Sequence, residues 1–99
     1  MRATGKTFRG ILTMLNVMAR NTEDKRIGLY VTGNIRESEW IYIKIKDIIL
    51  SYIPEEYLKF NKSRRSIELP NGNTIFIRGL REVQPFRRGI KIHWEVYDA

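Results

Sequence analysis

The sequence predicts an α/β fold with an antiparallel insertion, and three observations carry that prediction. Apolar residues recur at helical spacing in two stretches. A short, nearly unbroken apolar run, Ile27 to Thr32, lies between them and lacks the alternation of a half-solvated strand. Two β-rich runs then flank Pro70-Asn71-Gly72-Asn73, and an Asn-Gly pair between such runs is a strong hairpin signal. The predicted order is helix, strand, helix, hairpin, strand. With 99 residues, residues 1–99 are read as a single domain with a thin core.

The first helix is expected from Thr7 to Arg20, where Phe8, Ile11, Leu12, Leu15 and Met18 share one face. Asn21 to Lys25 is polar and breaks the pattern. Gly33 closes the first strand. Asn34 then offers an N-cap, with Glu37 three residues on, close to a capping box. Ile41, Ile45, Ile48, Ile49, Tyr52 and Ile53 mark a helix face as far as Pro54. Ile41, Ile43 and Ile45 also alternate, but length and the cap select helix. Glu55 to Phe60 reads as a helical turn. Ser66–Leu69 and Thr74–Ile77 form the hairpin. Leu80 to Arg88, with Pro85, reads as a polar loop, and Ile90 to Tyr97 as a final strand.

Composition removes several classes of function. The chain is 42% hydrophobic and 29% charged, unlike a disordered tail. It has no cysteine, so no disulfide and no thiolate metal site. A single histidine excludes a site built on two or more His ligands, and a Ser-His-Asp enzyme would need His93 as its base. No apolar run reaches the ~20 residues that span a bilayer, and the start of the sequence has no signal-peptide pattern. Eighteen Lys+Arg against eleven Asp+Glu give a net charge of +7. That charge suits a polyanionic partner; a solvated basic surface is the alternative. Lys59, Lys62, Arg64, Arg65, Arg87 and Arg88 flank the hairpin and are the candidate contacts to nucleic-acid phosphates. Trp40, Tyr42 and Trp94 are candidates for stacking on bases or for the core.

Gly5-Lys6-Thr7 directly precedes the first helical pattern. A glycine that lets backbone amides approach, a lysine that reaches phosphate oxygens and a hydroxyl that binds Mg²⁺ are the parts of a phosphate-binding loop. An ordinary helix start is the plainer reading of so short a motif.

Arg2-Ala3-Thr4-Gly5-Lys6-Thr7 resembles the variant phosphate loop of viral terminase large subunits, the ATPases that package DNA, in which an arginine commonly lies three positions before the glycine. The resemblance continues along the chain. Ile27–Thr32 followed by Asn34 is similar to the family's second strand and polar turn, and the Glu37–Ile53 helix to its next crossover. Ser66 to Gly79, centred on Leu69-Pro70-Asn71-Gly72, is similar to its hairpin. Arg88-Gly89 resembles the Arg-Gly before the strand that carries the Walker B acid, whose place falls on Asp98.

This resemblance implies a partial P-loop NTPase of the ASCE/RecA-like kind: a three-layer α/β core with a β-hairpin insertion, spanning from inside Walker A to Walker B. It implies ATP and Mg²⁺ as cofactors. Thr4, Gly5, Lys6 and Thr7 would hold the nucleotide, Lys6 and Arg2 would act on phosphate oxygens, and Thr7 and Asp98 would act on the metal. It implies double-stranded DNA, the other terminase components and the portal as partners, and a virus-encoded protein in the host cytoplasm. The family's Walker B strand usually ends Asp-Glu, whereas Asp98 is followed by Ala99. Weak or absent ATP hydrolysis is therefore expected. Glu95 is the alternative carboxylate. A small basic nucleic-acid-binding protein without ATPase activity is the alternative function.

Overall fold

The computed structural model describes Ile11 to Thr13, Asn16 and residues 25–98. Five strands form one mixed sheet in the order β2-β3-β4-β1-β5, where β1 is Ile27–Thr32, β2 Lys59–Asn61, β3 Ser66–Glu68, β4 Thr74–Gly79 and β5 Trp94–Asp98. β1 is parallel to both β4 and β5, while β3 is antiparallel to β4 and to β2. Helix α1, Ile35–Leu50, packs on one face of the sheet, and α2, Val83–Gly89, on the other. The result is a mixed α/β architecture with an antiparallel hairpin, the fold class that the sequence predicts.

Strand alternation divides the core. Tyr30, Ile67, Ile75 and Ile77 face α1 and meet Ile41, Tyr42, Ile45 and Ile49, together with Ile11. Leu29, Val31 and Phe76 face α2 and meet Val83, with Phe86, Ile90 and Ile92 at the margin. Because β1 is buried on both faces, consecutive residues Leu29, Tyr30 and Val31 are all fully buried, which accounts for its lack of alternation.

Asn34 caps α1 by accepting the Glu37 amide at 2.9 Å. Glu37 completes a variant of the capping box, with Oε2 accepting the Gly33 amide at 3.2 Å. The regular helix stops at Leu50, earlier than the predicted Ile53, and Ser51 to Ile53 continue only as a turn in which Tyr52 and Ile53 both donate to the Ile49 carbonyl, at 3.0 and 2.8 Å, before Pro54, which has no N–H to extend it. In the hairpin, Gly72 takes φ +89° and donates its amide to Leu69 at 2.9 Å, a backbone conformation that calls for glycine.

Three expectations need correction. Leu80 to Arg88 is not a loop but a 3₁₀ turn, Leu80–Glu82, running into α2. Pro85 is the third residue of α2, where an N–H would have no intrahelical partner, and Val83 and Phe86 supply the buried side. Lys59–Asn61 is strand, not part of the helical turn, which covers only Glu55–Tyr57. The final strand begins at Trp94, not Ile90. Ahead of it, His93 donates its amide to the Ile27 carbonyl at 2.8 Å and accepts the Ile27 amide on Nδ1 at 3.1 Å. The predicted first helix, Thr7 to Arg20, falls largely outside the described residues; Ile11 to Thr13 and Asn16 are helical.

Candidate functional site

The directions of the strands bring the chemistry to one end of the sheet. Because β1, β4 and β5 are parallel, their carboxyl ends at Thr32, Gly79 and Asp98 lie together. The turn from β2 to β3, which carries Lys62, Arg64 and Arg65, opens at the same end, since Arg65 accepts the Ile77 amide at 3.0 Å. After β1 the chain leaves toward the α1 side, and after β4 toward the α2 side. A crevice of about 580 Å³ opens between those diverging segments, lined by Gly33, Asn34, Ile35, Arg36, Gly79 and Arg81. Ligand crevices in open α/β sheets form where the connections from neighbouring strands diverge in this way.

Gly79 keeps the crevice narrow at its base. A Cβ built there would lie 2.7 Å from the Asn34 carbonyl carbon and 2.8 Å from the Ile35 nitrogen. Beneath, Thr32 is fully buried and donates its hydroxyl to the Asn34 carbonyl at 2.8 Å. Glu82 accepts the Gly79 amide at 2.9 Å and is also ion-paired to Arg65.

Asp98 ends β5 directly opposite Thr32 of β1 and is half-buried. Its Oδ2 accepts the Tyr30 hydroxyl at 3.1 Å. Burial, the Asp98 charge and this hydrogen bond together push the Tyr30 phenol well above its ordinary value. Asp98 is a hard oxygen donor at a strand end, a chemistry that fits Mg²⁺. Glu95 cannot join it from the same face. Strand alternation turns Glu95 to the α2 side, where it pairs with Arg87, while Arg87 also donates to the Tyr97 hydroxyl at 2.6 Å. Arg2, Thr4, Gly5, Lys6 and Thr7 lie outside the described residues, as does the rest of the expected phosphate loop. Among the described residues no group of three metal-binding side chains occurs, and no helix is long and apolar enough to cross a membrane.

The six expected phosphate-contacting cations do not form one free patch. Lys62 and Arg64 are exposed at the carboxyl end of the sheet. Arg65 is turned inward: its side chain is 12% exposed, donates to Ser38 Oγ at 2.8 Å and pairs with Glu82. Arg87 is engaged by Glu95, and Arg88 is exposed beside it on α2. Lys59 lies at the far end of β2, 3.9 Å from Glu68. Arg78, which is not among the cations expected from the sequence, stacks over Phe76 and Phe86 and donates to the Arg64 carbonyl at 2.6 Å. Of the aromatic candidates, Tyr42 is buried, while Trp40 and Trp94 pack against the α1-side core. Lys44 lies over the Trp40 ring and Arg26 over the Trp94 ring.

No protein-family model matches this chain, and neither a curated protein nor a solved structure matches it. The functional reading therefore rests on the residues and the fold.

Proposed function

We propose that this chain is the ATP-binding segment of a P-loop motor ATPase of the viral terminase type. The observation that carries the reading is Asp98: a carboxylate at the carboxyl end of a strand parallel to its neighbour, held by Tyr30 at 3.1 Å, where the sequence resemblance expects the Walker B acid. The three-layer sheet and the hairpin after α1 agree with that reading without being specific to it. In this account Arg2 and Lys6 contact phosphate oxygens, the Thr4-Gly5 backbone approaches them, and Thr7 and Asp98 provide oxygens for Mg²⁺. The metal, when bound, neutralises charge on the phosphates. Tyr30 fixes the orientation of the Asp98 carboxylate and keeps its own proton. Double-stranded DNA, portal and further terminase components are the corresponding partners, and the host cytoplasm the corresponding compartment.

The test is a titration with ATP in the presence and absence of Mg²⁺. The reading expects Asp98→Asn to remove most of the Mg²⁺ dependence while leaving the fold intact. Nucleotide binding equally dependent on Mg²⁺ in both proteins would refute the role given to Asp98.

The alternative, a basic nucleic-acid-binding protein without nucleotide chemistry, is favoured by one observation. Arg36, Lys62, Arg81 and Arg88 are exposed and form no ion pair with another described residue. DNA binding in a protein that shows no affinity for ATP would select it.

A further inference from the structure

We propose that the crevice between the carboxyl ends of β1 and β4 is a second phosphate-binding site, distinct in its residues from the Gly5-Lys6-Thr7 loop, with Arg36 and Arg81 as its contacts. The inference is independent of the nucleotide reading, because none of these residues belongs to that loop or to the Asp98 pair.

Four separate segments deliver arginines to one end of the sheet: Arg36 from the first turn of α1, Arg64 and Arg65 from the β2–β3 turn, Arg78 from β4, and Arg81 from the turn after it. Three acids share this end, Glu37, Glu82 and Asp98. Glu37 accepts the Gly33 amide, and Glu82 holds both Arg65 and the Gly79 amide. Asp98 accepts the Tyr30 hydroxyl, and among the described residues neither Arg36 nor Arg81 forms an ion pair. Burial and the nearby charges of Arg65 and Arg64 push the Arg78 guanidinium down from its ordinary value, an effect that Glu82 only partly offsets. Arg78 is held in place despite this by stacking on Phe86 at 4.8 Å and on Phe76 at 5.4 Å, and by donating to the carbonyls of Arg64 and Ile77. Two exposed guanidinium groups, Arg36 and Arg81, on the lining of a crevice of about 580 Å³ suit a dianionic or polyanionic ligand. Guanidinium forks recognise phosphate oxygens in particular. The shared chemistry is the phosphate group, whether of a free polyphosphate or of a nucleic-acid backbone.

The test uses the intact chain at low salt, with inorganic tripolyphosphate and a short DNA duplex as separate probes. Amide NMR shifts report the site, and Arg36→Ala/Arg81→Ala and Lys6→Ala are the variants. Arg36 and Arg81 are exposed, so their removal leaves the core untouched. Tripolyphosphate is expected to shift the Ile35, Arg36 and Gly79 amides saturably. The double variant should weaken this binding about tenfold or more, and Lys6→Ala should leave it unchanged. A response to tripolyphosphate alone assigns the site to free polyphosphates. A duplex response that the double variant also weakens, with its salt slope reduced by about two, assigns it to a backbone. The proposal is overturned if neither probe shifts these amides, if the double variant binds as the parent does, or if Lys6→Ala abolishes the shifts. The last of these outcomes assigns the phosphate binding to the Gly5-Lys6-Thr7 loop, and none of the three counts against the nucleotide reading, which the Mg²⁺-ATP titration tests separately.

Discussion

Arg65 shows how one side chain is committed by its surroundings. It takes φ 48°, unusual for a residue with a Cβ, and its side chain joins Ser38 of α1 to Glu82 beyond β4. Removing one partner of a largely buried ion pair leaves the other charge poorly compensated. Arg65→Ala is expected to destabilise the fold by about 2–4 kcal/mol, measured by urea unfolding, and to leave the salt dependence of any DNA binding unchanged. An equal loss of DNA affinity and no loss of stability would contradict the structural role. Tyr30 gives the pH prediction. Its phenol is raised in the folded state, first by burial and then by Asp98, so it binds its proton more tightly folded than unfolded. The stabilisation is complete below the ordinary tyrosine value and is lost as the pH climbs above it. Alkaline unfolding should therefore begin above about pH 10, and Tyr30→Phe should reduce that alkaline sensitivity. Absorbance of phenolate at 295 nm, followed alongside circular dichroism, checks whether the Tyr30 proton leaves only as the fold is lost.

Among the elements, α1 and the hairpin were legible because each carries its signal within a few residues. Asn34 and Glu37 announce the start of α1, the isoleucine spacing announces its buried face, and Pro70-Asn71-Gly72 announces the turn. Asn34→Ala should cost about 1 kcal/mol, the usual worth of such a cap. Gly79→Ala should cost more, about 1–3 kcal/mol, because the added Cβ meets backbone at 2.7 Å rather than a yielding side chain; thermal denaturation of the two variants gives the ranking. β2 was not legible, because three residues with one half-buried aromatic, Phe60, are too few for a period. α2 was missed because Pro85 and its charged neighbours look like a loop until Phe76 shows which side is covered; ring centroids of Phe76 and Phe86 lie 4.9 Å apart. The candidate site divides similarly. The position of Asp98 followed from its strand, but the crevice beside Gly79 depends on which strands become neighbours. That pairing joins residues more than forty positions apart and leaves no local trace in the sequence.

For the whole molecule, the layers explain how a chain of 99 residues fills a core on both faces of its sheet. β1 lies between β4 and β5 with both faces covered, α1 on one side and the shorter α2 on the other with Val83 and Phe86. The same arrangement gathers strand ends, a carboxylate and unmatched arginines at one edge of the molecule. Glu95 faces away from Asp98 and is held by Arg87, and the residue after Asp98 is Ala99. In the nucleotide reading, the glutamate that would orient the attacking water is replaced by Ala99. ATP turnover should be about 10²–10⁴ below that of a motor with such a group, and single-turnover hydrolysis of labelled ATP measures the deficit. The most direct test of the nucleotide reading is the affinity for Mg²⁺-ATP by equilibrium titration, comparing the parent chain with Lys6→Ala. The account predicts saturable binding in the parent and a loss of about tenfold or more in the variant; no binding in the parent, or equal affinity in both proteins, would contradict it.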